Sequence, residues 1–354
     1  MSLGGITQTH REGKHPGPPG PGSLFPPMLG GSALFRNPLR GIAATAAALM
    51  LLLAAGGCSA VKHPPQAQER QLPAEARYPF TVTDDLNRKV TVTAKPERIV
   101  SLAPSNTEIM FAVGLGSRIV AVDNYSDYPA EAAKLTKIGG FSTPSVEKIA
   151  ALKPDLVVGT DMHQKLLDQF DRLKIPVVLF SARSVEGVMA DIRLLGEVTS
   201  AQDQAGQVVE GIARTLTEVQ TKLGNLPDEA RPLTYYELYS DPLMSVGPKT
   251  LIHQIITLAG GKNIVQDADT DYPKISAEVI LKRNPQVIIF PLFHGTNALT
   301  AEQIRARPGW GGVKAIKEGR VLSVDANLIS RPGPRVAQAV EELARIIHPE
   351  KFLR

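Results

Sequence analysis

Two glutamates, Glu147 and Glu278, lie 131 residues apart in segments that match each other position by position. Each follows a serine by two residues and precedes an isoleucine, a proline and an apolar run. This spacing is typical of the first turn of a helix, where the helix dipole favours a carboxylate. For either glutamate alone, capping and a functional role are equally open. Their pairing favours two equivalent carboxylates, one at the tip of each half, that dock on a pseudo-symmetric basic partner.

Two further pairs of residues with ring side chains are also separated by 131 positions in the sequence. Phe141 and Tyr272 precede the two predicted helices, on the side where open α/β sheets bind ligands, so we expect them to flank a cleft. Loop anchoring is the alternative. His163 and His294 each lie five residues after an apolar run. Unless this match is coincidental, the two imidazoles would ligate or hydrogen-bond a metal-centred ligand.

The elements that must position these residues alternate between strands and helices. A hairpin is predicted within 80–93, and short apolar runs predict strands at 98–102, 118–122, 155–159, 176–180, 233–238, 287–290 and 321–324. Helical periodicity predicts helices at 106–113, 146–152, 249–258, 277–283 and 335–347. We interpret Ser105 and Glu108 as a capping box. The pattern predicts an α/β fold with two Rossmann-like lobes and mostly parallel central sheets.

One long amphipathic segment separates the two sets of elements. Apolar residues in 203–223 recur on one helical face, and a helix of this length spans roughly 30 Å. We expect this rigid helix to join the lobes and to resist their closure. The predicted domains are a first lobe at 79–202, a connecting helix at 203–224 and a second lobe at 225–354.

The N-terminal region has the pattern of an export signal. Basic residues at 36 and 40 precede an apolar run, 42–55, that is short of the roughly 20 residues needed to span a bilayer. The sequence Ala-Gly-Gly-Cys58 then resembles a lipobox, and Cys58 is the only cysteine. We predict an extension and lipoprotein signal peptide at 1–57, with Met1 or Met28 as the start. A tether at 58–78 would leave the protein lipid-anchored through Cys58, outside the cytoplasm.

Composition excludes several function classes. With 43% hydrophobic and 21% charged residues, the chain is able to bury a core. The net charge is +4, and the first 57 residues alone carry four basic side chains against one acidic. The nearly neutral remainder argues against nucleic-acid binding. An extracytoplasmic hydrolase is disfavoured because neither Gly-x-Ser-x-Gly nor His-Glu-x-x-His occurs, so no enzyme cofactor is expected.

Three segments, 101–108, 124–129 and 145–156, together resemble the helical-backbone metal receptors. These are the substrate-binding proteins of ABC importers for vitamin B12, haem and ferric siderophores. The segment 124–129, Asn-Tyr-Ser-Asp-Tyr-Pro, looks most like the vitamin B12 receptors of this family. The likeness extends from about residue 79 to the C-terminus. It implies two α/β lobes, a rigid joining helix and a ligand bound between the lobes with little closure.

The resemblance also implies which side chains hold the ligand. Tyr125, Phe141 and Tyr272 would line the cleft against a corrin ring, and Arg331 would bind a side-chain amide or phosphate. A corrinoid of the cobalamin type is the expected cargo, with haem or a ferric siderophore as alternatives. A haem receptor would take an axial ligand from Tyr125, His163 or His294, whereas a siderophore would favour an arginine-rich cleft.

The same resemblance implies partners for the protein. Glu147 and Glu278 match the lobe-tip glutamates that form salt bridges with arginines of two permease subunits. The expected partners are therefore an ABC permease dimer with its cytoplasmic ATPase, a metal-chelate ligand, and a membrane reached through the lipid anchor. The receptor itself is expected to be a monomer. A structural or adhesive surface protein would not need the matched glutamates.

Overall fold

The computed structural model describes residues 78–292 and 299–353. Cys58, His294, the signal segment 1–57 and nearly all of the tether lie outside these described residues, so those predictions stay predictions.

The first lobe is built on a four-stranded parallel sheet. Its strands, with two small hairpins, are β1 (Phe80–Thr83), β2 (Lys89–Val92), β3 (Ile99–Ser101), β4 (Ile119–Val122), β5 (Gly139–Gly140), β6 (Thr143–Pro144), β7 (Leu156–Thr160) and β8 (Val177–Phe180). The sheet order is β4-β3-β7-β8. Its helices are α1 (Pro104–Ala112), α2 (Val146–Ala151), α3 (Leu167–Arg172) and α4 (Val185–Thr199). Because helices cover both faces, β7 and β8 are apolar and buried almost throughout.

A single helix, α5 (Gln202–Leu223), follows the first lobe where the apolar periodicity predicts it. It packs against α1 and α4 of the first lobe and also against a helix of the second lobe. Its length of 22 residues corresponds to about 33 Å, so a single long helix packs against both lobes. The domain boundaries drawn around this helix stay a prediction.

The second lobe repeats the plan of the first. Its strands are β9 (Leu233–Tyr236), β10 (Tyr239–Ser240), β11 (Leu243–Met244), β12 (Lys262–Asn263), β13 (Val287–Leu292) and β14 (Val321–Asp325). Its helices are α6 (Leu251–Leu258), α7 (Ala277–Arg283), α8 (Ala301–Arg305), α9 (Lys314–Lys317), α10 (Ala326–Ser330) and α11 (Val336–Ile347). The sheet order, β12-β9-β13-β14, corresponds strand for strand to that of the first sheet. The predicted α/β fold with two lobes is confirmed.

One interpretation of helix termini is confirmed and one is wrong. Ser145 and Ser276 cap α2 and α7, and their hydroxyls accept main-chain N–H groups at 3.3 and 3.4 Å. The capping box of Ser105 and Glu108 does not form. α1 begins with a proline, which suits the first helical position, so Ser105 and Glu108 lie inside the helix and are buried.

The helix α4 has no counterpart among the predicted elements. Two glycines in this segment weaken the helical pattern of its sequence. One of them is required by the packing of the helix. A Cβ atom on Gly196 would lie 2.6 Å from the Ala205 side chain of α5. The close contact of α4 with α5 therefore requires the glycine that obscures the helix in the sequence.

None of the helices in the described part of the chain combines the length and apolarity needed to cross a membrane.

Candidate functional site

A cavity of about 1040 Å³ lies between the two lobes. Its wall includes the carboxyl ends of β7, β8 and β13 and the start of α10 after β14. Parallel α/β sheets bind ligands at this edge. Tyr125, Phe141, Tyr272 and Arg331, four of the residues selected from the sequence, all line this cavity. That they contact a ligand stays a prediction.

Tyr125 is held at the cavity by a turn that follows β4. The buried carboxylate of Asp123 accepts the Tyr125 main-chain N–H at 2.9 Å and the Ser126 hydroxyl. The Ser126 hydroxyl also lies 2.8 Å from that of Thr107 on α1. Burial raises the pKa of Asp123, and these hydrogen bonds oppose that rise. With its main chain fixed in this way, Tyr125 is 62% exposed, so it has surface available for a ligand.

His163 supports Phe141 and does not face the cavity. It is 1% exposed, its Nδ1 accepts the Thr160 main-chain N–H at 2.9 Å, and its Nε2 donates to the Phe141 carbonyl at 2.7 Å. The two rings also pack edge to face, with centroids 5.3 Å apart. Burial lowers the pKa of His163. The prediction that His163 binds the ligand or a metal is therefore wrong, because both ring nitrogens are already used.

Tyr272 is positioned by a close approach of two main-chain segments. Gly247 donates its N–H to the Asp271 carbonyl at 2.7 Å, and Ser245 donates to Pro273 at 3.0 Å. A side chain on Gly247 would collide with the Thr270 carbonyl, so only glycine permits this contact. Tyr272 held in this way is 55% exposed.

Arg331 belongs to an ion-pair network that crosses between the lobes. Its guanidinium donates to Glu108 at 3.0 Å, to Asp127 at 2.9 Å and to the Tyr125 carbonyl at 3.3 Å. Arg335 donates to both carboxylate oxygens of Glu108 at 2.7 Å, which raises the pKa of Arg335. Arg331 thus lines the cavity as a cation that the protein itself has largely neutralised.

A second ion pair crosses the cavity elsewhere. Arg183, which follows β8 in the first lobe, pairs with Asp271 of the second lobe. Arg183 also lies 3.9 Å from Asp161 of its own lobe. Each lobe therefore supplies one arginine and one aspartate to cross-lobe pairs in the cavity wall. The sequence gives no local signal for either pairing, since the partners are 88 and 204 residues apart.

Glu147 and Glu278 are exposed in the first turns of α2 and α7. Each of these helices is followed in the chain by a parallel strand of the sheet. The N-terminus of the helix therefore lies at the same carboxyl edge of the sheet that forms the cavity. The two glutamates consequently occupy equivalent positions on the two lobes. No ion pair holds either of them within the described residues.

The described residues do not form a metal centre. No group of three or more His, Cys, Asp or Glu side chains is arranged there to hold an ion.

Comparison with known proteins agrees with this geometry. The family model for periplasmic binding proteins matches residues 99–328. The chain belongs to the periplasmic binding protein family. An ABC transporter substrate-binding lipoprotein of Bacillus subtilis is 34% identical over 281 residues, which cover 78% of this chain and 87% of that protein. The vitamin B12-binding protein of Pectobacterium carotovorum is 31% identical, with 71% and 88% covered.

A solved structure of the family shows the same fold. The periplasmic haem-binding protein of a Roseiflexus species superimposes with a TM-score of 0.64 at 25% identity, covering 72% of this chain and 99% of that one. Members of the periplasmic binding protein family bind solutes outside the cytoplasm. The protein is accordingly a solute-binding protein, and the cavity between its lobes is the candidate solute site.

Proposed function

We propose that this protein captures a corrinoid of the cobalamin type between its lobes and delivers it to an ABC permease. It acts as a receptor and not as a catalyst. The observation that carries the proposal is a large cavity whose wall includes exposed aromatic residues and whose arginines are already paired with carboxylates. The relative named for vitamin B12 binding supports the same ligand class.

The size and the rings of the cavity suit a large planar ligand. Ligand pockets commonly measure about 300–1000 Å³, so a cavity of about 1040 Å³ is large even for a cofactor. Tyr125 and Tyr272 line it, and each is more than half exposed. Aromatic side chains bury much area against a flat macrocycle at a low cost in conformational entropy.

The charges of the cavity suit a ligand without strong net charge. Both lining arginines, Arg183 and Arg331, are in ion pairs. Lys249 also lines the cavity, and the described residues show no acidic partner for it. Anionic siderophores and the carboxylates of haem need unpaired cations, because a desolvated anion without a partner is costly. A cobalamin is neutral overall, because its peripheral amides are uncharged and the charge of its single phosphate is balanced within the molecule, so it needs fewer unpaired cations.

Haem remains the second candidate, for one specific reason. The phenols of Tyr125 and Tyr272 reach the cavity, and a phenolate is one of the side chains that ligate haem iron. The superimposed Roseiflexus protein is itself a haem-binding protein. Haem would have to place its carboxylates near Lys249.

An absorption titration distinguishes these ligands. We expect cyanocobalamin, and more weakly cobinamide, to saturate the purified protein at one equivalent with a change in the corrin bands. Haemin is expected to leave its Soret band unshifted. A Soret shift that saturates with haemin, and no change with either corrinoid, would replace the corrinoid proposal with the haem one.

Delivery to the transporter is proposed to use the two exposed glutamates. Glu147 and Glu278 occupy equivalent positions on two lobes with the same sheet order, which suits salt bridges to the two halves of a permease dimer. We further propose that the receptor is a monomer anchored by lipid at Cys58. The lipoprotein relative from Bacillus subtilis supports the anchor.

Replacing both Glu147 and Glu278 with alanine should separate binding from delivery. We expect the affinity for cyanocobalamin to stay within about threefold of wild type, because neither side chain lines the cavity. Uptake in cells that depend on this receptor should fall by at least tenfold. Glu210→Ala/Glu218→Ala on α5 is the matched control and should transport normally. Loss of binding in the first variant would show that these glutamates are structural.

A further inference from the structure

The cavity wall contains one cation that the described part of the chain leaves without a counter-ion. The basic side chains that line the cavity there are Arg183, Lys249 and Arg331. Both arginines are held in ion pairs that cross between the lobes. Lys249 is exposed and takes part in no ion pair with the described residues. Its ammonium group is therefore available to an anion that enters the cavity.

The acidic residues of the same wall do not compete for this lysine. Asp127, Asp161 and Asp271 are each in an ion pair with an arginine instead. The fourth acidic residue of the wall, Asp191, is only 2% exposed. An anion on a ligand would consequently meet Lys249 without displacing a carboxylate of the protein.

The main chain that carries Lys249 is fixed beside Tyr272. Gly247 donates its N–H to the Asp271 carbonyl at 2.7 Å, which holds the segment before α6 against the residue that precedes Tyr272. On the other side of the lysine, Thr250 is 5% exposed, and its hydroxyl donates to the Gly247 carbonyl at 2.9 Å. A lysine carries a compact ammonium on a flexible four-carbon stem. A ligand that covers Tyr272 would therefore have this ammonium at its edge.

We propose that Lys249 is a specificity-determining residue, which pairs with the phosphate of a cobalamin bound between the lobes. The phosphate is the one anionic group of this ligand and stands at its periphery, so a single unpaired cation matches it. Haem carries two carboxylates, which one lysine does not satisfy. Cobinamide lacks the phosphate and would leave Lys249 without an anion. This inference rests on the proposed function, since it names the corrinoid that the same cavity prefers.

The test compares cyanocobalamin with cobinamide by calorimetry, on wild type and on Lys249→Gln. Glutamine keeps a hydrogen-bond donor on a flexible stem but removes the charge. We expect this variant to bind cyanocobalamin about tenfold more weakly, because a charge-assisted hydrogen bond is lost, and to bind cobinamide within about twofold of wild type. Lys282→Gln on α7 makes the same change of charge outside the cavity and should bind both ligands as wild type does.

The salt dependence of binding provides a second measurement. Ions in solution screen an ion pair that water still reaches. The advantage of wild type over Lys249→Gln for cyanocobalamin should therefore shrink from about tenfold to about threefold when sodium chloride is raised from about 0.05 to about 0.5 M. An advantage that does not change with salt would show that the lysine acts through its shape and not through its charge, which contradicts the inference.

The outcomes separate this inference from the proposed function. If Lys249→Gln binds cyanocobalamin as tightly as wild type, or loses the same affinity for both corrinoids, Lys249 does not recognise the phosphate. The inference is then refuted and the receptor proposal stands. A wild-type protein that binds neither corrinoid overturns the proposed function, and this inference with it.

Discussion

Replacing Glu108 with alanine is expected to lower the free energy of unfolding by about 3–5 kcal/mol. Glu108 is 2% exposed, and it receives three charged hydrogen bonds from Arg331 and Arg335 of the other lobe. Removing Glu108 leaves the partly buried Arg335 without its carboxylate partner, whereas Arg331 keeps its ion pair with Asp127. Arg335 would keep its contact with the Tyr128 ring, whose centroid lies 4.1 Å from the guanidinium carbon.

Calorimetry or circular dichroism would measure this effect as a melting temperature lower by roughly 10 °C. Glu108→Gln retains an acceptor but not the charge, so it should melt between the alanine variant and wild type. Glu147→Ala removes an exposed glutamate and should change the melting temperature by no more than about 2 °C. An alanine variant of Glu108 that melts with wild type would show that this network does not stabilise the lobes.

The double variant Tyr125→Ala/Tyr272→Ala is expected to bind cyanocobalamin about 100-fold more weakly. Each ring has more than half of its surface free to be covered by a ligand. Covering that area contributes roughly 2 kcal/mol per ring, and part of the sum offsets the cost of ordering the side chains. Since every 1.4 kcal/mol corresponds to a tenfold change, a 100-fold loss is the expected net effect.

Isothermal titration calorimetry would measure the loss, with the melting temperature verifying that the fold is intact. Tyr239→Ala is the matched control, because Tyr239 is 58% exposed but does not line the cavity. It should bind with the affinity of wild type. A double variant whose affinity stays within threefold of wild type would refute the assignment of these tyrosines to the ligand site.

Local patterns in the sequence were sufficient to predict the sheet strands of the repeat and the serine caps. The runs at 156–160 and 287–290 are apolar because helices cover both faces of each sheet, and that burial can be read from the residues themselves. Ser145 and Ser276 act within their own helical turn, so three residues of sequence suffice to recognise them. The two-residue strand β12 was missed because it is too short to carry a pattern.

The sequence by itself determined the α/β fold, the duplication, and the positions of Tyr125, Phe141 and Tyr272 at the loop ends of the strands. The position of Tyr125 follows from the family resemblance, and the others follow from periodicity or from an equivalence between the two halves. Only the tertiary structure decided which charges meet. Glu108 was interpreted as a cap but pairs with arginines 223 and 227 residues away, and His163 supports Phe141 from inside the first lobe. Pairing of side chains depends on distance in space, and neighbours in the sequence carry no record of it.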